Sequence, residues 1–491
     1  MQIHNKTRHF ITNKHFFSDT DFVMRKIFFE IFSQIIWLVE NICFSLHSLR
    51  LEHTINAMTE KMKKSKFTSR IALSESRTLY FGALKDMYVV VEKEMDGHIE
   101  SGDLSNLPAK VSDDLAEAGI TVDDDFDEDS ELIRLIDEID GSTDCLQITV
   151  NPTINCNFRC WYCYEGHVAG SKMDTAVMES VVAYLQRYLS ENPSTRQFNL
   201  SFFGGEPLLY FKDNVRPLIE MCDEVCKSHS VGMTVHFTTN GYLLRPDVVD
   251  FLSRYDSSFQ ITLDGGREFH DKTRCSTSGE GSFDTIIGNI RNALSAGMHV
   301  LVRVNYTEEN LASVGDIVKI FRDLPEDSKR LMRFDFQRVW QDVREENKEK
   351  IENIIGTYIS EAKEAGLYAT SHLVQDYVRN SCYGDKHNYL LVNYNGDLYK
   401  CTARDFAKTP PLGHLNPDGI ATWHHPNYNE RRRHAKFQRK SCKNCRIAPL
   451  CAGGCRQKAM EHPDDGNCLH GYSEAHKDEI ILNRFIYHFI K

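Results

Sequence analysis

The run LQITVNPTINCNFRCWYCYE, residues 146–165, sets the frame for the whole chain. Its first part, LQITVNPT, is an apolar, β-rich stretch of strand length. Directly after it come Cys156, Cys160 and Cys163, spaced C-x3-C-x2-C, interleaved with aromatics and followed by Glu165. Thiolates bind iron–sulfur clusters, and four of them saturate a 4Fe–4S cube. Three leave one iron without a protein ligand. That is the choice of a catalytic site, by the logic that separates an open zinc site from a closed structural one.

Downstream, five more runs of the same kind follow: QFNLSFFGG (197–205), MTVHFTTNG (233–241), FQITLDGG (259–266), HVLVRVNYT (299–307) and MRFDFQRVW (332–340). Segments such as MDTAVMESVVAYLQRYL and FDTIIGNIRNALSAG lie between them, with apolar residues at helical spacing. Alternation of strand and helix implies an α/β fold with a parallel sheet and right-handed crossovers. Six units are too few for a closed eight-stranded barrel, so the expectation is an open, partial (β/α)6 TIM-like barrel. Ligands in such folds sit at the carboxyl ends of the strands. The cysteine triplet follows the first strand and the GGE of FFGGEP follows the second, which puts both on one rim.

Bulk properties fit a chain of two or three domains. It has 491 residues, 15 cysteines and a formal net charge of −12, with no long basic face. That balance weighs against a nucleic-acid partner. No export signal with a proper cleavage site is visible, so clustered cysteines point to metal or redox chemistry in a cytoplasmic setting rather than to disulfides. Residues 1–61 are apolar in part, but Arg25, Lys26, Glu30 and Glu40 interrupt them before a membrane span is reached. This segment reads as a mis-assigned start upstream of Met58 or Met62, or as an interfacial helix. A small α+β unit is expected over 62–142: a hairpin from TLYFGAL and MYVVVEK, a helix stopped by Gly119, and an acidic linker, DDDFDEDSE, before the helix ELIRLIDEI. The barrel core then occupies 143–375. A cysteine-organised region with little core of its own occupies 376–491.

On these residues the chain resembles the radical S-adenosylmethionine (radical SAM) superfamily over about 145–340. Cys156, Cys160 and Cys163 match the cluster motif, with Tyr162 as the aromatic beside the third ligand. Gly204, Gly205 and Glu206 match the GGE motif that holds the amino group of S-adenosylmethionine. TLDGGREFHDKTR resembles the fourth-strand segment, which implies that Thr262 and Arg274 hold the ribose and the methionine carboxylate; Asn240 is a further cofactor contact. The resemblance implies reductive cleavage of the sulfonium to a 5′-deoxyadenosyl radical that abstracts a substrate hydrogen. Read singly, Glu206 could cap a helix and Arg274 could be a surface residue; the constellation reverses that reading.

Toward the C-terminus the spacing is Cys382-x13-Gly396-x4-Cys401, then Cys442-x2-Cys445-x5-Cys451-x3-Cys455-x12-Cys468. This resembles the seven-cysteine SPASM pattern, which implies two auxiliary 4Fe–4S clusters. By that match Cys442, Cys445, Cys451 and Cys468 hold one, and Cys382, Cys401 and Cys455 the other, its fourth ligand unassigned. A zinc module is the alternative for the CxxC and CxxxC pairs. Cys222 and Cys226 read as core, and Cys43, Cys145 and Cys275 as isolated buried thiols.

SPASM proteins include maturases of ribosomally made peptides, which install thioether or carbon–carbon crosslinks, and anaerobic sulfatase maturases, which form formylglycine. The latter carry an aspartate after the cysteine of G-x4-C and a tyrosine two positions after the third core cysteine; here these are Thr402 and Glu165. The expectation is therefore a peptide or protein maturase, with formylglycine formation as the alternative and a non-catalytic iron–sulfur carrier or scaffold as a third. The resemblance also implies a peptide or protein substrate and an electron donor such as flavodoxin or ferredoxin. The 62–142 unit is a candidate for capturing a leader peptide by strand addition.

Overall fold

In the computed structural model the described residues are 62–342, 347–370, 381–424, 436–462 and 464–489. The 1–61 reading, Cys43 included, lies outside them. The chain divides into two units, Met62–Ile480 and Met1–Lys61 with Ile481–Lys491; the first holds the described sheets and thiols.

Five short strands open it: β1 (Met62–Lys64), β2 (Thr68–Ala72), β3 (Arg77–Gly82), β4 (Met87–Glu92) and β5 (Thr121–Asp123). The expected hairpin is β3–β4, with Gly82 opposite Met87, and β2 adds to it as an antiparallel third strand. Tyr80, Val91, Ile99, Leu115, Ala118 and Ile120 form the small core beneath. The acidic run does more than link. Asp127 caps the helix Glu128–Gly141 by accepting the amides of Asp129 and Ser130, and buried Glu128 ties that helix back to Ser65 and the Lys66 amide. An acid at a helix start is stabilised there by the macrodipole, so the charge has a structural use.

All six β-rich runs are strands, in order: β6 (Cys145–Val150), β7 (Gln197–Phe202), β8 (Gly232–Thr239), β9 (Asp256–Leu263), β10 (His299–Tyr306) and β11 (Met332–Arg338). Each pairs in parallel with the next. Their outward residues pack on the helices; Phe202, Phe237 and Phe259 stack across three strands at 5.0 and 5.5 Å between ring centroids. The inward residues are polar: Gln147, Thr149, Ser201, His236, Thr238, Gln260, Thr262, Arg303 and Asn305 face a cavity. A period-two pattern with one apolar and one polar face cannot fill a barrel interior. The concave side is left open for a ligand.

The sheet does not stop at six. β12 (Tyr368–Thr370) extends it beyond β11, and beyond β6 come β13 (Tyr389–Val392), β14 (Asp397–Tyr399), β15 (Gly413–Leu415) and β16 (Ala421–Trp423). β13 runs parallel to β6, and the last three are antiparallel. The cysteine-rich sequence predicts little core of its own. Instead all four residues of β13 are buried, and the first part of that region is built onto the barrel sheet. No helix among the described residues is long and apolar enough to cross a membrane.

Candidate active site

Cys156, Cys160 and Cys163 lie in the loop after β6 and line the cavity, whose volume is about 600 Å³. Phe158 anchors that loop: it is buried and bridges to Ser276, while Asn157 accepts the Thr277 amide. The Cys163 amide donates to the Cys160 carbonyl, which closes the turn carrying the last two thiols.

The glycines of GGE set the packing of this loop. A Cβ on Gly204 would fall 2.3 Å from the Thr153 carbonyl oxygen, and one on Gly205 would fall 2.1 Å from that of Asn155. Gly204 also has φ of 99°, which disfavours any side chain. The two glycines thus let the GGE turn approach the backbone of the cysteine loop. Glu206 is fully buried and lies behind the cavity lining. Its carboxylate accepts from the Leu208 amide, the Thr239 hydroxyl and the Asn240 amide, fixing the end of β8 to the GGE turn. Gly204 and Gly205 are the part of this motif that lines the cavity.

Asn240, Thr262, Arg274 and Tyr162 all line the same cavity. Asn240 donates through Nδ2 to Asn157 Oδ1 at 2.8 Å and reaches the Cys156 sulfur at 3.9 Å. Arg274 is buried; its Nη1 donates to the Tyr162 hydroxyl at 2.8 Å and lies 3.7 Å from the Cys160 sulfur. Its Nε is buried without a hydrogen-bond partner. Tyr162 in turn donates to Asp264. Asp264 is held neutral more readily than an ordinary aspartate, its pKa pushed up to about 6 by burial against the pull of Arg274. Asp264 stands inside the TLDGG run without a role there; only the fold carries it to Tyr162.

Burial raises all three core thiols above the ordinary cysteine value, Cys156 to about 12. Desolvated thiols surrender their protons to a positive centre, as the ligands of an iron–sulfur cluster must. The three thiols share one cavity and are the donor type that an iron–sulfur cluster takes, although among the described residues no three thiol, imidazole or carboxylate groups are placed to hold a single metal ion; the orphaned Arg274 Nε leaves a donor for a bound anion.

The C-terminal thiols fall into two groups. Cys442, Cys445, Cys451 and Cys468 line one small cavity, and burial followed by the other three thiols raises Cys451 to about 12. Cys382 is raised to about 11 by burial, Asp385, and then Cys401 and Cys455 beside it. Tyr383 follows Cys382 directly and reaches the main cavity, its hydroxyl 2.6 Å from that of Thr402; Tyr383, Tyr389 and Thr402 line that cavity beside the cysteine loop, where the Tyr164 hydroxyl donates to the Thr402 carbonyl. Cys222 and Cys226 are buried on the helix Arg216–His229. Cys145 and Cys275 are only partly buried, contrary to expectation: Cys145 is the first residue of β6, and Cys275 lies in the loop after the helix Arg267–Thr273.

Three residues stand out that the motifs alone do not assign. Glu165 lines the cavity with both carboxylate oxygens buried and unpartnered, and its pKa is pushed up to about 8 by burial and then by Asp405. Asp405 accepts the Gly166 amide at 2.8 Å. Trp340, just past the end of β11, stacks on Tyr164 with 5.5 Å between centroids and 4° between planes.

Residues 150–321 match the radical SAM superfamily and residues 382–446 the SPASM iron–sulfur cluster-binding domain. A cysteine-type anaerobic sulfatase-maturating enzyme of Clostridium novyi is 26% identical over 187 residues, covering 36% of this chain and 48% of that protein. The radical SAM cyclopropyl synthase TigE of Paramaledivibacter caminithermalis is 21% identical over 152 residues, 28% of this chain and 31% of that one. The first of these alignments thus spans about half the relative's length. The solved structure of native anSMEcpe with bound AdoMet shares the fold, with a TM-score of 0.52 and 18% identity, covering 70% of this chain and 98% of that one. The radical SAM domain implies a 4Fe–4S cluster and S-adenosylmethionine, and the SPASM domain binds auxiliary iron–sulfur clusters. The chain carries a radical SAM domain over residues 150–321 and a SPASM domain over residues 382–446.

Proposed function

We propose that this protein is a cytoplasmic radical SAM maturase that abstracts hydrogen from a residue of a peptide or protein. The observation that carries this reading is one cavity lined both by the core cysteines and by Tyr383, Tyr389 and Thr402 of the SPASM region, with the Tyr164 hydroxyl donating to the Thr402 carbonyl where the two meet. When bound, the core cluster and S-adenosylmethionine supply one-electron chemistry and a hydrogen-abstracting radical. In this reading Cys156, Cys160 and Cys163 hold that cluster, and Cys382, Cys401, Cys442, Cys445, Cys451, Cys455 and Cys468 hold the auxiliary ones.

The chain's own side chains then orient and exclude. Arg274 offers the donor Nε to a carboxylate, Tyr162 and Asp264 hold Arg274 in place, and Asn240 fixes the loop around Cys156. Gly204, Gly205 and Thr262 line the wall where a nucleoside and an amino group would lie. The β2–β3–β4 sheet offers strand edges to an extended leader peptide. Reducing equivalents come from a flavodoxin or ferredoxin.

Formylglycine formation is a second reading, favoured by the sulfatase-maturating relative. Glu165 and Thr402 stand against it, because the tyrosine and aspartate implied for that reaction are both replaced. An anaerobic assay of the reconstituted, dithionite-reduced full chain for 5′-deoxyadenosine tests the proposal. Formation of the nucleoside that is lost in Cys156→Ala supports it; no cleavage by protein with all clusters loaded leaves a carrier or scaffold. Product mass on a sulfatase-derived peptide separates the two maturase readings.

A further inference from the structure

The Glu165 side chain makes no polar contact within the described fold. It is 8% exposed, and neither carboxylate oxygen has a hydrogen-bond partner. A buried carboxylate without a donor is strongly destabilising when charged, and folded chains retain one where a ligand completes it. Its backbone neighbour Gly166 is secured by Asp405, which brings a second carboxylate to the same place. Asp405 is itself satisfied by the amides of Gly166 and Ala407 and by Lys408. Among the described residues no ion pair is formed by the Glu165 carboxylate; Arg303, which lines the same cavity from the inner face of β10, donates to Asn305.

A second observation, independent of the acid, lies at the rim. Trp340 is 62% exposed, a large apolar surface to leave in water at the mouth of a cavity. It lies flat on Tyr164, and both line the cavity that Glu165 lines. Aromatic faces attract cations, and an apolar stem can lie along them while its charged head passes inward. Acid within and aromatic faces without make the complement of one kind of side chain.

The geometry points to a substrate-recognition site in which Glu165 accepts the charged head of a lysine or arginine side chain of the peptide, with Tyr164 and Trp340 against its aliphatic stem. This rests on the maturase reading above and names what that substrate carries. The role is one of specificity: the cationic residue docks, and the reacting position lies elsewhere along the same peptide.

The test measures binding without turnover. Two acetylated and amidated pentapeptides, Gly-Gly-Lys-Gly-Gly and its norleucine counterpart, are equilibrated by dialysis with the reconstituted full chain and S-adenosylmethionine. The expected result is roughly tenfold tighter binding of the lysine peptide. Glu165→Gln should erase that preference, and Trp340→Ala should weaken the lysine peptide about threefold. Equal binding of the two peptides to the wild-type chain overturns the inference, as does a preference that survives Glu165→Gln. A drop in S-adenosylmethionine affinity in Glu165→Gln with the preference intact also overturns it, since the acid would then serve the cofactor. Should Glu165→Gln not fold, the wild-type preference and Trp340→Ala decide. A chain that prefers lysine but never cleaves S-adenosylmethionine fails the proposed function alone; one that cleaves it without that preference fails this inference alone.

Discussion

The loop of Cys156–Cys163 and the segment of Cys442–Cys468 both gather thiols, by opposite means. The first hangs from β6, where Leu146, Ile148 and Val150 are buried beneath the helices and Phe158 pins the loop itself. The second has only brief helices, Lys440–Lys443, Ala448–Cys451 and Arg456–Glu461, and few apolar anchors. Charge replaces them. Lys436 is 0% exposed with Nζ 2.5 Å from Asp385, and Arg456 reaches the other oxygen of Asp385 at 2.7 Å. In the core apolar packing holds the thiol loop; toward the C-terminus a buried ion network takes over part of that task.

Stripping iron from the protein should expose that contrast most visibly. Limited proteolysis after chelation is expected to cut within 436–480 at least about tenfold faster than within the barrel strands, because structural metal binding is folding free energy. Uniform cleavage of both regions would sink the contrast. Next in size, Asp385→Asn leaves Lys436 and Arg456 buried beside a neutral amide and should destabilise the chain by about 3–5 kcal/mol in denaturant melts. Auxiliary iron should fall with it while core iron stays. Gly205→Ala should do the reverse at smaller cost, about 1–3 kcal/mol, as its methyl meets the Asn155 carbonyl; iron per chain and the EPR signal of the core cluster would report the loss. The smallest effect concerns His236 in the cavity wall, whose pKa is lowered to about 4 by burial. Between about pH 6.5 and 4 the unfolded chain takes up a proton that the folded one refuses, so stability drops as pH falls through that window. His236→Gln should flatten that slope in pH-dependent melts.

The apolar halves of β6 to β11 were legible because each strand has to bury one face, and burial writes itself as alternation. β12 and β13 were not, being three and four residues long and set in polar sequence. The thiols were legible from their spacing. What they touch was not: Tyr162 meets Asp264 across 102 positions and Gly166 meets Asp405 across 239. Such contacts belong to topology, and local pattern carries no trace of them. The use of Asp127 and Glu128 to start a helix was hidden for the opposite reason, since a cap and a solvated charge look alike in a run of seven acids within nine residues.

The pairing of β13 with β6 orders events at the ribosome. Gln147 waits for Tyr389, 242 residues later, so one side of the first barrel strand emerges bare. At ordinary rates of translation that interval lasts on the order of 10–50 s, long enough for an uncovered strand to seek another chain. Nascent polypeptides halted before residue 389 are expected to pellet on centrifugation, and those released after residue 424 to stay in the supernatant.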